Sequence, residues 1–328
     1  MIFNGIDFHN VEELEPCEHG YRMWRLPKNI RQKLNVNARD ISAGYACGVE
    51  LRFRMIDEKV DIYLCAEAAE EAHVAYIFYG SMQGGWQTSS YVIGKEPTKI
   101  SVVRPAIIAE LEQLTLEEEL PFSPEVVRIV LPYGKCCFCG VEGATTTLTE
   151  ADLPKSTYLA YGSSITHGSL ALAMPYTYPF RISQKLKTDY INMGFAGSAH
   201  LEPAMAEYIV SRKDWTFASV EMGINMLSDF SIDAFEERVD SFTKILSEDG
   251  RTIFATDIFK CLGRDEQKTK AFREVVAKYA SERLIYTPGL EILGKSSFIS
   301  SDFVHPSLEG METIVSNWYT VMENNLKR

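Results

Sequence analysis

The chain has no apolar run long enough to cross a bilayer. Its start, Met-Ile-Phe-Asn-Gly-Ile-Asp-Phe-His, lacks the basic and apolar regions of a secretory leader, so no signal peptide is expected. Positive charge is in short supply: 33 Lys and Arg face 45 Asp and Glu, a net charge of −12. Nucleic acids and anionic membranes reward basic surfaces, so neither is expected as a partner. Seven cysteines, an odd number scattered between Cys17 and Cys261, do not suggest a disulfide framework and fit reduced thiols in a cytoplasm. There is no internal repeat and no low-complexity segment. The Gly-x-Gly-x-x-Gly fingerprint and the Walker motif are missing too, which weakens a flavodoxin-like cofactor carrier, and no cofactor is expected.

What is present fits an ordinary globular protein, 46% hydrophobic and 24% charged. At 328 residues, two domains are the default. The first, residues 1–150, reads as short strands separated by turns. Tyr45–Arg54, Val60–Cys65, Val74–Tyr79, Ser90–Ile93, Thr98–Val103 and Val126–Leu131, with the later cysteines read as part of a strand from Val127 to Gly140, predict an antiparallel β-sandwich of jelly-roll type. The acidic stretch Ala109–Glu119 reads as a solvated connection. Within Val127–Gly140, Cys136-Cys137-Phe138-Cys139 suggests a metal or redox cluster at first sight. No histidine stands nearby and no distant ligand pair matches it, so buried thiols are the reading and no metal is expected.

From residue 151 to 328 strands alternate with longer helical segments: Thr157–Tyr161, Tyr190–Met193, Phe217–Met222, Arg251–Thr256 and Leu284–Tyr286 extended, with helices between them and one towards Asn325. That rhythm predicts a parallel sheet with helices on both faces, an α/β domain of flavodoxin-like three-layer α/β/α form. Ligands of such sheets collect beyond the carboxyl ends of the strands. Tyr158-Leu-Ala-Tyr-Gly-Ser-Ser-Ile-Thr-His-Gly168 is an apolar strand ending in a turn that offers Ser164 at that edge. The spacing is not the Gly-x-Ser-x-Gly elbow, and a plain helix cap is the ordinary alternative.

A serine nucleophile needs a base, a group to orient the base, and donors for the oxyanion. His305 lies just before the last helix, in Ser301-Asp-Phe-Val-His305, and Asp302 is within a turn's reach of its ring. Asn192-Met-Gly-Phe-Ala-Gly197 and Glu221-Met-Gly-Ile-Asn225 follow the second and third strands. They bring Gly197 and Asn225 as donors, though strand-to-helix turns favour the same residues for backbone reasons.

In this order the four blocks resemble the SGNH (GDSL-type) hydrolase family. The resemblance covers the chain from about residue 155 to its end. It implies Ser164 as nucleophile, His305 as base and Asp302 as its orienting carboxylate. An oxyanion hole would form from Ser164 N–H, Gly197 N–H and the Asn225 side chain. Two departures stand out: Ser163 occupies the place of the usual aspartate, and Met226 follows Asn225 where aspartate is common. His167 is either a wall of the acyl pocket or a helix-face residue, and Trp86 is the most plausible exposed aromatic for stacking on a substrate ring. A β-sandwich ahead of such a domain resembles a subset that includes carbohydrate esterases and acyl-processing enzymes.

The expected activity is a metal-independent serine esterase removing small acyl groups, chiefly O-acetyl, from a carbohydrate or similar polar molecule. An acyltransferase with the same site and a non-catalytic glycan-binding protein are the alternatives. The acidic surface is compatible with a monomer or a homo-oligomer.

Overall fold

The computed structural model describes residues 1–67, 73–86 and 88–327. The amino-terminal part holds two antiparallel sheets. One has eight strands: Ile2–Phe3, Ile6–His9, Glu50–Met55, Val126–Val130, Val74–Tyr79 and Met82–Gln83 in that spatial order, with Thr145–Thr146 and Ser90–Val92 on its flanks. The other has five, in the order Thr98–Val103, Lys59–Ala66, Cys136–Glu142, Gly20–Trp24, Glu13–Cys17. Strand alternation builds the core between them. Leu51, Phe53, Ile77, Val127 and Ile129 of the first sheet meet Val60, Ile62, Leu64, Ile100 and Phe138 of the second.

The carboxy-terminal part is a five-stranded parallel sheet in the order Asp189–Gly194, Thr157–Gly162, Phe217–Glu221, Thr252–Thr256, Ile285–Thr287. Helices Tyr178–Leu186 and Leu308–Leu326 cover one face, while Pro203–Ser211, Ile232–Ser247 and Glu266–Arg283 cover the other. The three layers follow from the strands themselves, whose residues are buried on both faces as a doubly covered sheet demands.

Several expectations need correcting. Val127–Gly140 is not one strand: Val126–Val130 and Cys136–Glu142 lie in different sheets, and the chain crosses the sandwich between them. Cys136 and Cys137 are buried as expected, with Cys136 in the apolar core and Cys137 Sγ 3.0 Å from Cys17 Sγ, whereas Cys139 is only partly buried. Residues 109–119 form most of a helix, Ile108–Glu117, none of whose residues is buried. The strands before Trp24 and the short helices Lys28–Arg31 and Val36–Asp40 carry no clear periodicity and were not anticipated. No helix among the described residues is long and apolar enough to cross a membrane.

The middle of the larger sheet's polar face does not meet water. Glu50, Arg52 and Arg128 alternate with the core residues and point into the seam against the parallel sheet. Arg52 donates to both oxygens of Asp189 at 2.7 Å and to Glu50 at 2.8 Å, and Arg128 grips Glu50 at 2.7 Å through two nitrogens. Burial alone would raise the Glu50 carboxyl, but the Arg128 and Arg52 cations outweigh it and pull it down to about 2. Against the same burial, Arg52 holds Asp189 well below the usual carboxylate range. A depressed carboxylate contributes stability above its unfolded pKa and loses it as pH falls through its folded one. This seam therefore weakens between about pH 4.5 and pH 2. Arg52→Met leaves Asp189 buried without its cation and is expected to cost roughly 3–5 kcal/mol in urea unfolding. A wild-type midpoint would show that the seam carries no stability.

Candidate active site

The turn after the strand Thr157–Gly162 opens the four-residue helix Ser164–His167. Ser163 caps it, its Oγ accepting Ile165 N–H at 3.2 Å, and Gly168 ends it in the left-handed region. The helix can lie this close to the sheet because Gly162 has no side chain. A Cβ there would stand 2.1 Å from Thr166 Oγ1 and 2.7 Å from Glu221 Oε2. Ser164 itself is 8% exposed, with its hydroxyl at the carboxyl edge of the sheet.

The last loop brings the second and third groups. Ile299 bridges Pro306, and Ser300 N–H reaches His305 C=O at 2.8 Å, so residues 299–306 form a closed hairpin. Phe303 adopts φ +67°, which turns the chain sharply enough for Asp302 to face the ring three residues on. Asp302 Oδ2 takes the His305 Nδ1–H at 2.6 Å. Its Oδ1 accepts from Ser300 Oγ, Val304 N and His305 N at 2.7–2.9 Å. Partial burial opposes the charge, but these donors, Ser300 and His305 foremost, hold the carboxyl well below its ordinary value. With Nδ1–H committed to Asp302, Nε2 is left as an acceptor. It lies 2.8 Å from Ser164 Oγ, which donates to it.

The loops after the strands Asp189–Gly194 and Phe217–Glu221 emerge at the same edge. Gly162 pairs with Gly194, and Tyr161 with Val220. Gly197 sits in a turn at φ +64° with open space where a Cβ would be. Asn225 Oδ1 accepts Ala199 N–H at 3.2 Å, which ties its carboxamide to the Gly197 loop and turns the amide nitrogen away from that bond. The geometry thus joins Ser164, His305 and Asp302 directly. It sets Gly197 and Asn225 on adjoining loops at the same edge.

His167 does not reach a pocket wall. It is 0% exposed, its ring packs on Tyr133 and Tyr45, and burial, then the Arg25 cation, push its pKa well below the ordinary imidazole value. Trp86 is 98% exposed on the connection between Met82–Gln83 and Ser90–Val92. Both of those strands flank Val74–Tyr79, which supplies a cleft wall. This cleft, about 430 Å³, starts at Gly168 and is lined by Val74, Tyr76, Tyr133, Leu170, Leu172 and Met174. Trp86 is outside its lining.

One supporting residue escaped the sequence reading although its motif was in view. Glu221, the last residue of its strand, is buried and accepts Ser163 N–H at 2.7 Å and Thr166 Oγ1 at 3.3 Å, while its Oε1 has no partner among the described residues. Burial pushes its carboxyl up, against the pull of Ser163 and Thr166. It holds the turn where the usual aspartate is replaced by Ser163. Glu221→Gln keeps an acceptor for Ser163 N–H and is expected to preserve most turnover. Glu221→Leu strands that buried N–H, a cost of about 1–3 kcal/mol, with a lower unfolding midpoint and reduced turnover. Equal behaviour of the two variants in unfolding and kinetics would contradict this role.

Residues 155–322, just over half of the chain, match the GDSL-like Lipase/Acylhydrolase family. No curated protein matches the chain in sequence. Among solved structures, a salicylyl-acyltransferase from a tetracycline biosynthetic pathway superposes with a TM-score of 0.77 at 16% identity, covering 98% of this chain and 95% of that one. A family two carbohydrate esterase from Cellvibrio japonicus gives 0.61 at 9% identity, with 98% and 95% covered. An acetyl xylan esterase from the rumen bacterium Butyrivibrio proteoclasticus gives 0.60 at 10%, with 100% and 97% covered. These likenesses run through both the β-rich and the α/β parts and bear on the fold. With the matched segment and the hydrolase fold in place, the chain belongs to the GDSL-like lipase/acylhydrolase family and is a carboxylic ester hydrolase.

Proposed function

We propose that this hydrolase removes small acyl groups, chiefly acetyl, from a carbohydrate or similar polar alcohol, through an acyl-enzyme on Ser164. The observation that carries the reading is the continuous relay of Ser164 Oγ to His305 Nε2 at 2.8 Å and His305 Nδ1 to Asp302 at 2.6 Å. Ser164 Oγ attacks the ester carbonyl as its proton passes to His305 Nε2. Asp302 holds the ring in the required tautomer and stabilises the imidazolium. Ser164 N–H, Gly197 N–H and the Asn225 amide meet the oxyanion. His305 then protonates the departing alcohol and activates the water that frees the acid.

The cleft of about 430 Å³ begins at Gly168, four residues after Ser164, and offers room for the alcohol part of a substrate, although neither Ser164 nor His305 lines it. Carbohydrate esterases with the same two-part fold support a sugar alcohol. Trp86, exposed on a loop of the larger sheet, offers an aromatic face on which a sugar ring could stack. Seven free thiols support a reducing, cytoplasmic setting.

A salicylyl-acyltransferase with the same two-part fold favours a second reading, transfer of the acyl group to an alcohol in place of water. One experiment addresses both. kcat/KM is measured on p-nitrophenyl esters of increasing chain length, with and without an added alcohol. Acetyl is expected to be the best substrate, with efficiency falling towards octanoyl; a rise with chain length would overturn the small-acyl reading. Ester formation at the expense of free acid would establish the transferase.

A further inference from the structure

We propose that Ser42 and Arg25, both far ahead of the hydrolase segment in sequence, are positioning residues for the Gly197 oxyanion donor. The inference rests on the reading of the site given above. The Ala196 carbonyl and the Gly197 N–H belong to one planar trans peptide and point in opposite directions. Whatever fixes the carbonyl therefore aims the N–H.

Ser42 Oγ donates to Ala196 C=O at 3.1 Å. Ser198 Oγ lies 2.9 Å from Ser42 Oγ and 3.2 Å from the same carbonyl. Ser198 thus donates to Ser42, whose own proton goes to Ala196. Both serines are buried, so water does not compete for these bonds. The turn Ser42–Gly44 that carries Ser42 is itself held by Arg25.

Arg25 is 0% exposed, and among the described residues every hydrogen bond it makes goes to a backbone carbonyl. Nη2 bridges Ser42 C=O at 2.5 Å and Gly194 C=O at 2.9 Å, Nη1 takes Asn192 C=O at 3.0 Å, and Nε takes Tyr45 C=O at 2.9 Å. Its guanidinium lies 4.9 Å from the centre of the Phe195 ring. A buried cation without a carboxylate is costly, and one that spends its donors on both sides of a seam fixes the two sides together. Arg25 secures the strand end before Phe195, Ser42 secures the Ala196–Gly197 peptide, and Asn225 secures Ala199 beyond it. The amino-terminal half is thereby part of the apparatus that presents the oxyanion donor, in addition to any contact with substrate.

The test compares Ser42→Ala, Ser42→Thr and Ser198→Ala with wild type in three measurements: p-nitrophenyl acetate kinetics, the affinity of a phenylboronic acid adduct, and the thermal midpoint. Ser42→Ala is expected to lower kcat about tenfold with KM little changed and to weaken the boronate by a similar factor. Ser42→Thr, which keeps the hydroxyl, is expected to restore both. Wild-type kcat and boronate affinity in Ser42→Ala would overturn the proposal, as would a threonine variant as impaired as the alanine one. Should Ser42→Ala fail to fold, Ser198→Ala decides: a selective loss of kcat and boronate affinity supports the proposal, and unchanged values overturn it. A wild-type enzyme that neither turns over ester nor binds boronate would instead bring down the hydrolytic reading of the site.

Discussion

Replacing Ser164 by alanine is expected to lower kcat for p-nitrophenyl acetate by at least about 10⁴-fold while leaving the unfolding midpoint near wild type. The size of the effect follows from the chemistry. Without the hydroxyl no acyl-enzyme forms, and the remaining groups offer only a polarised pocket and a base for water. The small stability change follows from the position. The Ser164 hydroxyl takes part in the hydrogen bond to His305, whereas the turn is held by Ser163, Glu221 and Gly162. Turnover within tenfold of wild type would place the chemistry elsewhere.

Asp302→Asn is expected to have the second largest effect, about 10²–10⁴-fold in kcat. An amide in place of the carboxylate stabilises the imidazolium less and permits the wrong tautomer, with Nε2 protonated and unable to accept from Ser164. The lower part of the range reflects the exposed position of Asp302. The pH dependence gives an independent check. Asp302 is held far on the ionised side by Ser300, His305 and Val304 against the effect of burial, so its protonation is expected only in strong acid. Protonation of Asp302 should therefore leave no trace in the wild-type pH profile of kcat. A limb with two protonations in wild type would contradict this picture of Asp302.

The parts legible in the sequence are those fixed by short local patterns. The alternation of apolar strands and amphipathic helices after residue 150 specified a parallel three-layer domain, and the strand ends then placed Ser164, Gly197, Asn225 and the 302–305 loop at one edge. In the structure His305 lies within hydrogen-bond distance of both Ser164 and Asp302. What could not be read depended on what a polar residue faces. Glu50, Arg52 and Arg128 alternate as an ordinary solvated strand face would, yet that face is covered by the second half of the chain. Arg25 stands in Met23-Trp-Arg-Leu26 with no motif around it, and only the fold reveals that its partners lie near residue 194. Glu221 and Asn225 share one motif, but the donor amide drew attention from the carboxylate that supports the neighbouring turn. His167 was the opposite case. Its nearness to Ser164 in sequence left a pocket wall and a plain helix-face residue as alternatives, and one turn of helix carries it into the packed seam, which neither reading named.

The most direct test is to mix the enzyme with excess p-nitrophenyl acetate, quench in acid within the first turnovers, digest, and locate the added mass. The account predicts one acetyl group on the peptide containing Ser164, absent from Ser164→Ala and from the denatured protein. A steady-state ester hydrolysis with no acetylated peptide, or with the acetyl group on any other residue, would contradict it.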